Sequence, residues 1–373
     1  MTMFATPEGT RRYAGRFAKR AAEGHFRELP GLCGGLAVSS LGIGTYLGNP
    51  DAATDAAYTE AVVAAVESGI NLIDTAINYR FQRSERSIRD ALAELARRGF
   101  ARDEIVVCTK GGYLTPDGEM PADPNEYFFN EYIQKGVLRS KDIAAGCHAM
   151  TPRYLEDQLA RSLQNLGADC IDVYYVHNPE TQLGEVPREE FIARVHAAFE
   201  FLESAVAAGK IRFYGLATWN GFRVSKEAAE GLQLADLEIL AHEIAGDSHH
   251  FRFVQLPLNL GMTEALTLAN QAVDERTLPM IEAAHALDIM LMGSASLLQG
   301  QVARNLPPFI ADVLGLDNDA ERALQFARST PGMTTALVGM RTVEHVRANA
   351  RLVSVAPASV DQFGKLFERG GAA

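Results

Sequence analysis

The sequence predicts an α/β protein built as a closed (β/α)8 TIM barrel, with an N-terminal extension and a long loop insertion after the third strand. Short β-rich runs recur along the chain, and each is followed by a stretch with helical periodicity. Eight such units can be counted, which favours a closed barrel over an open doubly wound sheet. Several strands, such as IVVC from Ile105 and IDVYYV from Ile171, read as unbroken apolar runs, as expected when both faces of a strand are covered.

In order, the predicted strands are residues 37–42, 71–74, 105–110, 170–177, 211–218, 251–257, 288–294 and 335–339. Alanine and leucine repeat at helical steps in residues 58–68, 85–97, 152–166, 191–208 and 343–351, which predicts amphipathic helices between the strands. Residues 1–36 precede the first strand and are expected to form an arm or a cap under the barrel. Residues 37–373 form one barrel domain, interrupted by an insertion at 111–150 and ending in a tail at 352–373. The insertion contains TPDGEMPADPNEYFFNEY and leaves the C-terminal end of a strand, so a substrate lid is expected there.

Composition excludes several classes of function. The formal charge is -12 and the basic residues are scattered, so no stripe exists to track nucleic acid phosphates. Cys33, Cys108, Cys147 and Cys170 are isolated, with no CxxC pair and no Cys/His cluster at metal-ligand spacing, which predicts reduced thiols and no metal. The N-terminus lacks the apolar stretch of a signal peptide, and no run reaches membrane-spanning length, so a cytoplasmic protein is expected. A monomer and a small homo-oligomer are both compatible with the sequence.

Barrel enzymes draw their chemistry from the C-terminal ends of different strands. Here the second strand ends in Asp74 with Tyr79 five residues beyond it, the third ends in Lys110 and the fourth in His177. Singly, these residues read as a helix cap, a packed ring, a solvated amine and a hydrogen-bonded core histidine. Together they form one device. A phenol with a pKa of about 10 is a poor acid at neutral pH unless a cation favours its anion, and Lys110 supplies that cation. Asp74 holds the lysine, and His177 orients a substrate oxygen or shares its proton.

These residues resemble the aldo-keto reductases. DTAINY from Asp74, the pair Ser84-Glu85, VVCTKGG around Lys110, DVYYVHNP around His177 and LVGMRTVEHVRANA from Leu337 match the family's motifs in order, across about residues 41–349. The resemblance implies a catalytic tetrad of Asp74, Tyr79, Lys110 and His177, with Tyr79 as general acid for reduction. It also implies a nicotinamide cofactor lying extended across the barrel mouth, with NADP(H) preferred on account of Arg341 and NAD(H) as the other candidate. The cofactor residues by resemblance are Gly44, Thr45, Asp74, Thr218, Gln255, Ser294, Leu297, Gly300, Gly339, Arg341, His345 and Asn349. LGIGTYLG from Leu41 is not a Rossmann fingerprint, because its glycines are misspaced and Asn49-Pro50 follows where a helix should begin. Arg341 suits a 2'-phosphate through its planar fork of donors.

The chain departs from the family pattern in four places. Ala217 and Thr218 replace the usual Ser-Asn pair, Tyr79 is followed by Arg80 and two extra residues, Ser296 replaces Pro, and His345 replaces Arg or Gln. Tyr46, Tyr113 and Trp219 are expected to line an apolar substrate pocket. The activity implied is interconversion of a small-molecule carbonyl, in an aldehyde, ketone or sugar, and an alcohol. The alternative is a cofactor-binding, redox-sensing regulatory subunit with little turnover.

Overall fold

A computed structural model describes residues 3–368. Eight parallel strands close into a barrel: β1 (Leu41–Gly44), β2 (Leu72–Asp74), β3 (Val106–Gly111), β4 (Ile171–His177), β5 (Ile211–Ala217), β6 (Phe251–Pro257), β7 (Met290–Ser294) and β8 (Met333–Gly339). Closure is made where β8 pairs with β1, with Gly339 opposite Gly44. This is the predicted fold.

Side-chain parity decides which residues face the barrel axis, because alternate residues of a strand point to opposite faces. Leu72, Val106, Cys108, Val173, Tyr175, Phe213, Phe253 and Met292 fill the interior. Two residues beyond members of that set lie Asp74, Lys110, His177 and Gln255, which therefore continue the same inward rows to the C-terminal rim. The opposite parity, for example Val107, Tyr174 and Val254, packs outward with the helices.

The helices begin and end where local chemistry permits. Asp51 caps the helix Ala52–Glu67 by accepting from the Thr54 amide at 2.7 Å, which starts it six residues ahead of the predicted residue 58. Pro152–Leu166 runs from a proline to Gly167, whose left-handed φ of 60° ends it. The short helix Val343–Asn349 is capped by Thr342 and gives way to a 3-10 turn at Ala350–Ser354, so the predicted end at 351 falls in the turn. Among the described residues, no helix is long and apolar enough to cross a membrane.

The first predicted strand, 37–42, is split. Ala37–Ser39 pairs antiparallel with Phe26–Glu28, and the parallel barrel strand starts only at Leu41. The run AVSSLG has no proline to mark the break. The partners make it, with the Ser40 amide donating to the His25 carbonyl at 2.6 Å and the Ser39 amide to Asn71 Oδ1 at 2.8 Å. This hairpin lies under the barrel, where Leu29, Cys33, Leu36 and Val38 join the interior cluster. The helix Pro7–Arg16 lies alongside, with Arg12 and Arg16 both bonded to the buried carboxylate of Glu104.

The insertion is a packed excursion. Tyr113 and His148 form an antiparallel bridge at its neck, and the Ala149 amide donates to the Gly112 carbonyl at 2.9 Å. Beyond the neck, Pro124–Phe128 runs into a π-helical turn, Phe129–Gln134. Tyr132, Leu138, Ala149 and Tyr154 form a small core of its own. In the C-terminal tail, Val360–Glu368 packs its Phe363 and Leu366 with Ile310 and Leu314 of the helix Pro308–Leu314, while residues 369–373 lie outside the described residues.

Candidate active site

At the rim, Lys110 is fully buried and its Nζ donates to Asp74 Oδ2 and to the Thr75 carbonyl, both at 2.7 Å. The same ammonium reaches the Tyr79 hydroxyl at 3.5 Å. Asp74 is satisfied on its other side by Gln255 Nε2 at 2.8 Å. Burial by itself depresses the lysine, but attraction to Asp74 and Tyr79 outweighs it and holds the amine above its ordinary range. The group is a fixed cation at neutral pH.

Burial also pushes the Tyr79 phenol above the usual tyrosine range; Lys110 pulls in the other direction without overcoming it. Tyr79 is therefore protonated at neutral pH. Its backbone sits in a turn anchored by Ile77 N to the Lys110 carbonyl and by its own amide to the Ala76 carbonyl.

The two extra residues after Tyr79 are absorbed in a left-handed turn, with φ of 48°, 56° and 70° at Arg80, Phe81 and Gln82. Glycine takes such values freely, whereas other residues resist them, so this turn requires external support. Arg80 supplies it. Its buried guanidinium donates to Asp55 Oδ1 at 2.6 Å, Ser87 Oγ at 3.0 Å and Ser84 Oγ at 3.1 Å. Ser84 in turn donates to the Thr45 carbonyl at 2.9 Å, which ties the turn to the loop carrying Tyr46. The Tyr46 ring stands edge-on to Tyr79 at 5.0 Å.

His177 faces Tyr79 edge-on at 5.9 Å. Among the described residues its Nδ1 is buried without a hydrogen-bond partner, and because a buried N–H left unpaired is rarer than a buried acceptor left unpaired, the arrangement favours the proton on Nε2, the nitrogen available to a ligand. Burial, together with Lys110 and His148, pushes its pKa well below the usual histidine value, so the ring is neutral. Tyr113, expected in the substrate pocket, packs edge-on to His177 at 5.1 Å and accepts from Asn178 Nδ2 at 3.1 Å through its hydroxyl.

The residues expected to hold the cofactor lie along an arc of neighbouring strands. Thr218 follows β5, Gln255 lies in β6, Ser294 ends β7 and Gly339 ends β8, next to Gly44 and Thr45 at the end of β1. Thr218 is buried, with its amide bonded to the Gln255 carbonyl at 2.8 Å, so it braces the fifth and sixth strand ends. The loop carrying Leu297 and Gly300 turns sharply, with φ of 44°, 53° and 86° at Leu298, Gln299 and Gly300. Among the described residues, nothing lies within 4 Å of a Cβ built on Gly300 or Gly339. Arg341 is exposed, lies over Gly48, and among the described residues has no ion pair or hydrogen bond. His345 is exposed and Asn349 buried in the following short helix. This open, partly glycine-lined arc with a free guanidinium at its end fits an extended dinucleotide.

Tyr46 and Trp219 are exposed, and the Trp219 amide is held by Glu180 Oε1 at 2.6 Å. Sequence reasoning missed Glu180, Thr75, His148, Gln182 and Arg194. Glu180 bonds the backbone of a different strand's loop, and His148 lies in the insertion, so no local pattern pointed to either.

The sequence profile of the Aldo/keto reductase family matches residues 40–368. The chain is 28% identical over 181 residues to an NADH-specific methylglyoxal reductase of Escherichia coli (strain K12), covering 48% of this chain and 46% of that one. It is 29% identical over 209 residues to a D-threo-aldose 1-dehydrogenase of Pseudomonas sp, covering 55% and 56%. Each match thus spans about half the length of the relative. In three dimensions it is similar to an aldo/keto reductase from Klebsiella pneumoniae solved with NADP and acetate, at a TM-score of 0.59 and 20% identity, covering 90% and 92% of the two chains. The family profile extends from the first barrel strand to the final helix, and the chain belongs to the aldo/keto reductase family.

Proposed function

We propose that the protein is an NAD(P)H-dependent oxidoreductase that interconverts a small-molecule carbonyl and an alcohol, with Tyr79 as the proton donor for reduction. The reading rests above all on one observation: the buried Lys110 ammonium, paired with Asp74 at 2.7 Å, stands 3.5 Å from the Tyr79 hydroxyl. A nicotinamide, when bound, supplies hydride to the carbonyl carbon.

Tyr79 then donates its proton to the oxygen, and the adjacent ammonium stabilises the phenolate left behind. Asp74 keeps the ammonium in place. His177, neutral with its proton on Nε2, donates a hydrogen bond that orients the carbonyl without competing as an acid. Gln255, Thr218, the loop from Ser294 to Gly300 and the segment from Gly339 to Asn349 are the residues that would hold the cofactor. The unpaired fork of Arg341 supports NADPH over NADH, since a 2'-phosphate accepts paired donors from a planar guanidinium.

The test is titration with NADPH and NADH, followed by quenching of Trp219, the single tryptophan of the chain. The tighter complex is then mixed with aldehydes, ketones and sugars while nicotinamide absorbance is recorded. Saturable binding with substrate-dependent loss of absorbance is expected. Binding without turnover on any carbonyl would favour a regulatory role instead, and absence of binding would overturn the cofactor assignment.

A further inference from the structure

His148 is fully buried and donates through Nε2 to the backbone carbonyl of His177 at 2.7 Å. A carbonyl only accepts, so the proton of His148 is on Nε2 and its Nδ1 must accept. It does so from Gln182 Nε2 at 2.8 Å. Gln182 is itself oriented, because its Oε1 accepts from Arg194 at 2.5 Å and arginine only donates. The chain Arg194, Gln182, His148, His177 therefore has one consistent direction of donation.

A second observation points to the same bond. Gly112 has a φ of 140°, and a side chain built on it would lie 2.7 Å from His148 Nε2 and 3.1 Å from the His177 carbonyl oxygen, wedged into the hydrogen bond. Tyr113, the next residue, pairs with His148 across the neck of the insertion and packs its ring edge-on to both histidines, at 5.2 and 5.1 Å. The two ends of the insertion thus meet on His177, one through a hydrogen bond to its backbone carbonyl and the other through a ring packed on its imidazole.

We propose that His148, oriented by Gln182, is a positioning residue for His177, and that the neck of the insertion fixes the ring orientation and tautomer of that histidine. The inference rests on the reading of His177 as the group that orients the substrate oxygen. It gives the insertion a role as a support for the site rather than as a cover over it. The buried, unpartnered Nδ1 keeps the proton of His177 on Nε2 only while the surroundings stay closed. Loss of His148 frees the His177 carbonyl and removes the ring that backs Tyr113, so the His177 imidazole can turn and expose Nδ1 to water, which lets the other tautomer form.

The experiment records the imidazole nitrogen signals of the full-length protein by 15N NMR, with His177 assigned through His177→Asn. Parent protein is expected to show His177 as a single neutral tautomer with the proton on Nε2. His148→Ala is expected to mix the tautomers and to lower kcat by about 10- to 100-fold, the scale of a small misplacement of a reacting group, with cofactor affinity unchanged. His148→Gln, which retains an N–H donor, should recover most of both signals. Gln182→Leu, which leaves the His148 side chain in place, should mix the tautomers as well, so the inference can still be judged if His148→Ala does not fold. An unaltered His177 tautomer in folded His148→Ala or Gln182→Leu would overturn the inference, whatever the activity. A parent protein that neither binds nicotinamide nor turns over would instead overturn the functional reading, while the NMR comparison still decides the role of His148.

Discussion

At the residue scale, the proposed chemistry turns on the Tyr79 hydroxyl, and the proposed preference for NADPH on the Arg341 guanidinium. Tyr79→Phe keeps the ring that packs on Tyr46 and His177 and removes only the hydroxyl. Turnover is expected to fall by at least about 100-fold, as for loss of a general acid, while NADPH quenching of Trp219 keeps the same midpoint. Undiminished turnover in this variant would remove Tyr79 from the mechanism. Arg341→Ala is expected to weaken NADPH binding by about 10- to 100-fold and to leave NADH nearly unaffected, since a charge-assisted hydrogen bond contributes about 1.5–3 kcal/mol. Equal loss for both nucleotides would assign Arg341 to some feature they share. Asp74, Lys110 and His177 were legible in the sequence because each ends a predicted apolar strand run; that all three share the inward parity came from the structure. Tyr79 was legible only by its distance from Asp74, and its setting was not, since nothing in YRFQ announces a left-handed turn.

At the element scale, the turn at Arg80, Phe81 and Gln82 is stabilised from outside rather than by its own residues. Arg80→Ala removes three hydrogen bonds and leaves Asp55 with Arg83 as its remaining partner, so a loss of about 1–3 kcal/mol is expected in urea unfolding. Because the turn carries Tyr79 and is tied to Thr45 through Ser84, turnover should fall with it. Unchanged stability and turnover would mean that the turn holds its shape without Arg80. The split of residues 37–42 belongs to the same scale. One apolar run serves two sheets because the N-terminal strand Phe26–Glu28 claims its first half.

At the scale of the whole molecule, pH acts through buried histidines. Burial lowers His25 and His148 to about 4, from an ordinary value of 6.5. The unfolded chain therefore takes up protons as pH falls below 6.5, whereas the folded protein does not until about 4. Stability is fully present above pH 6.5 and is lost between 6.5 and 4, by at most about 1.4 kcal/mol per pH unit for each histidine. Glu85 and Glu180, raised by burial, act in the opposite sense and reduce the net loss. The urea midpoint is expected to be lower at pH 5 than at pH 7, and less so in a His25→Gln variant. A shift in His25→Gln as large as in the parent protein would mean that His25 titrates alike in both states.

Periodicity and strand-end chemistry are local properties, and they were enough to predict the closed eight-stranded barrel and the rim on which Asp74, Lys110 and His177 meet, with Gln255 added by the resemblance. The hairpin under the barrel, the arginine that supports the left-handed turn, and the line from Arg194 to His177 join residues far apart in the chain. Their hydrogen bonds exist only once the barrel has brought those partners together, so only the tertiary structure decided them.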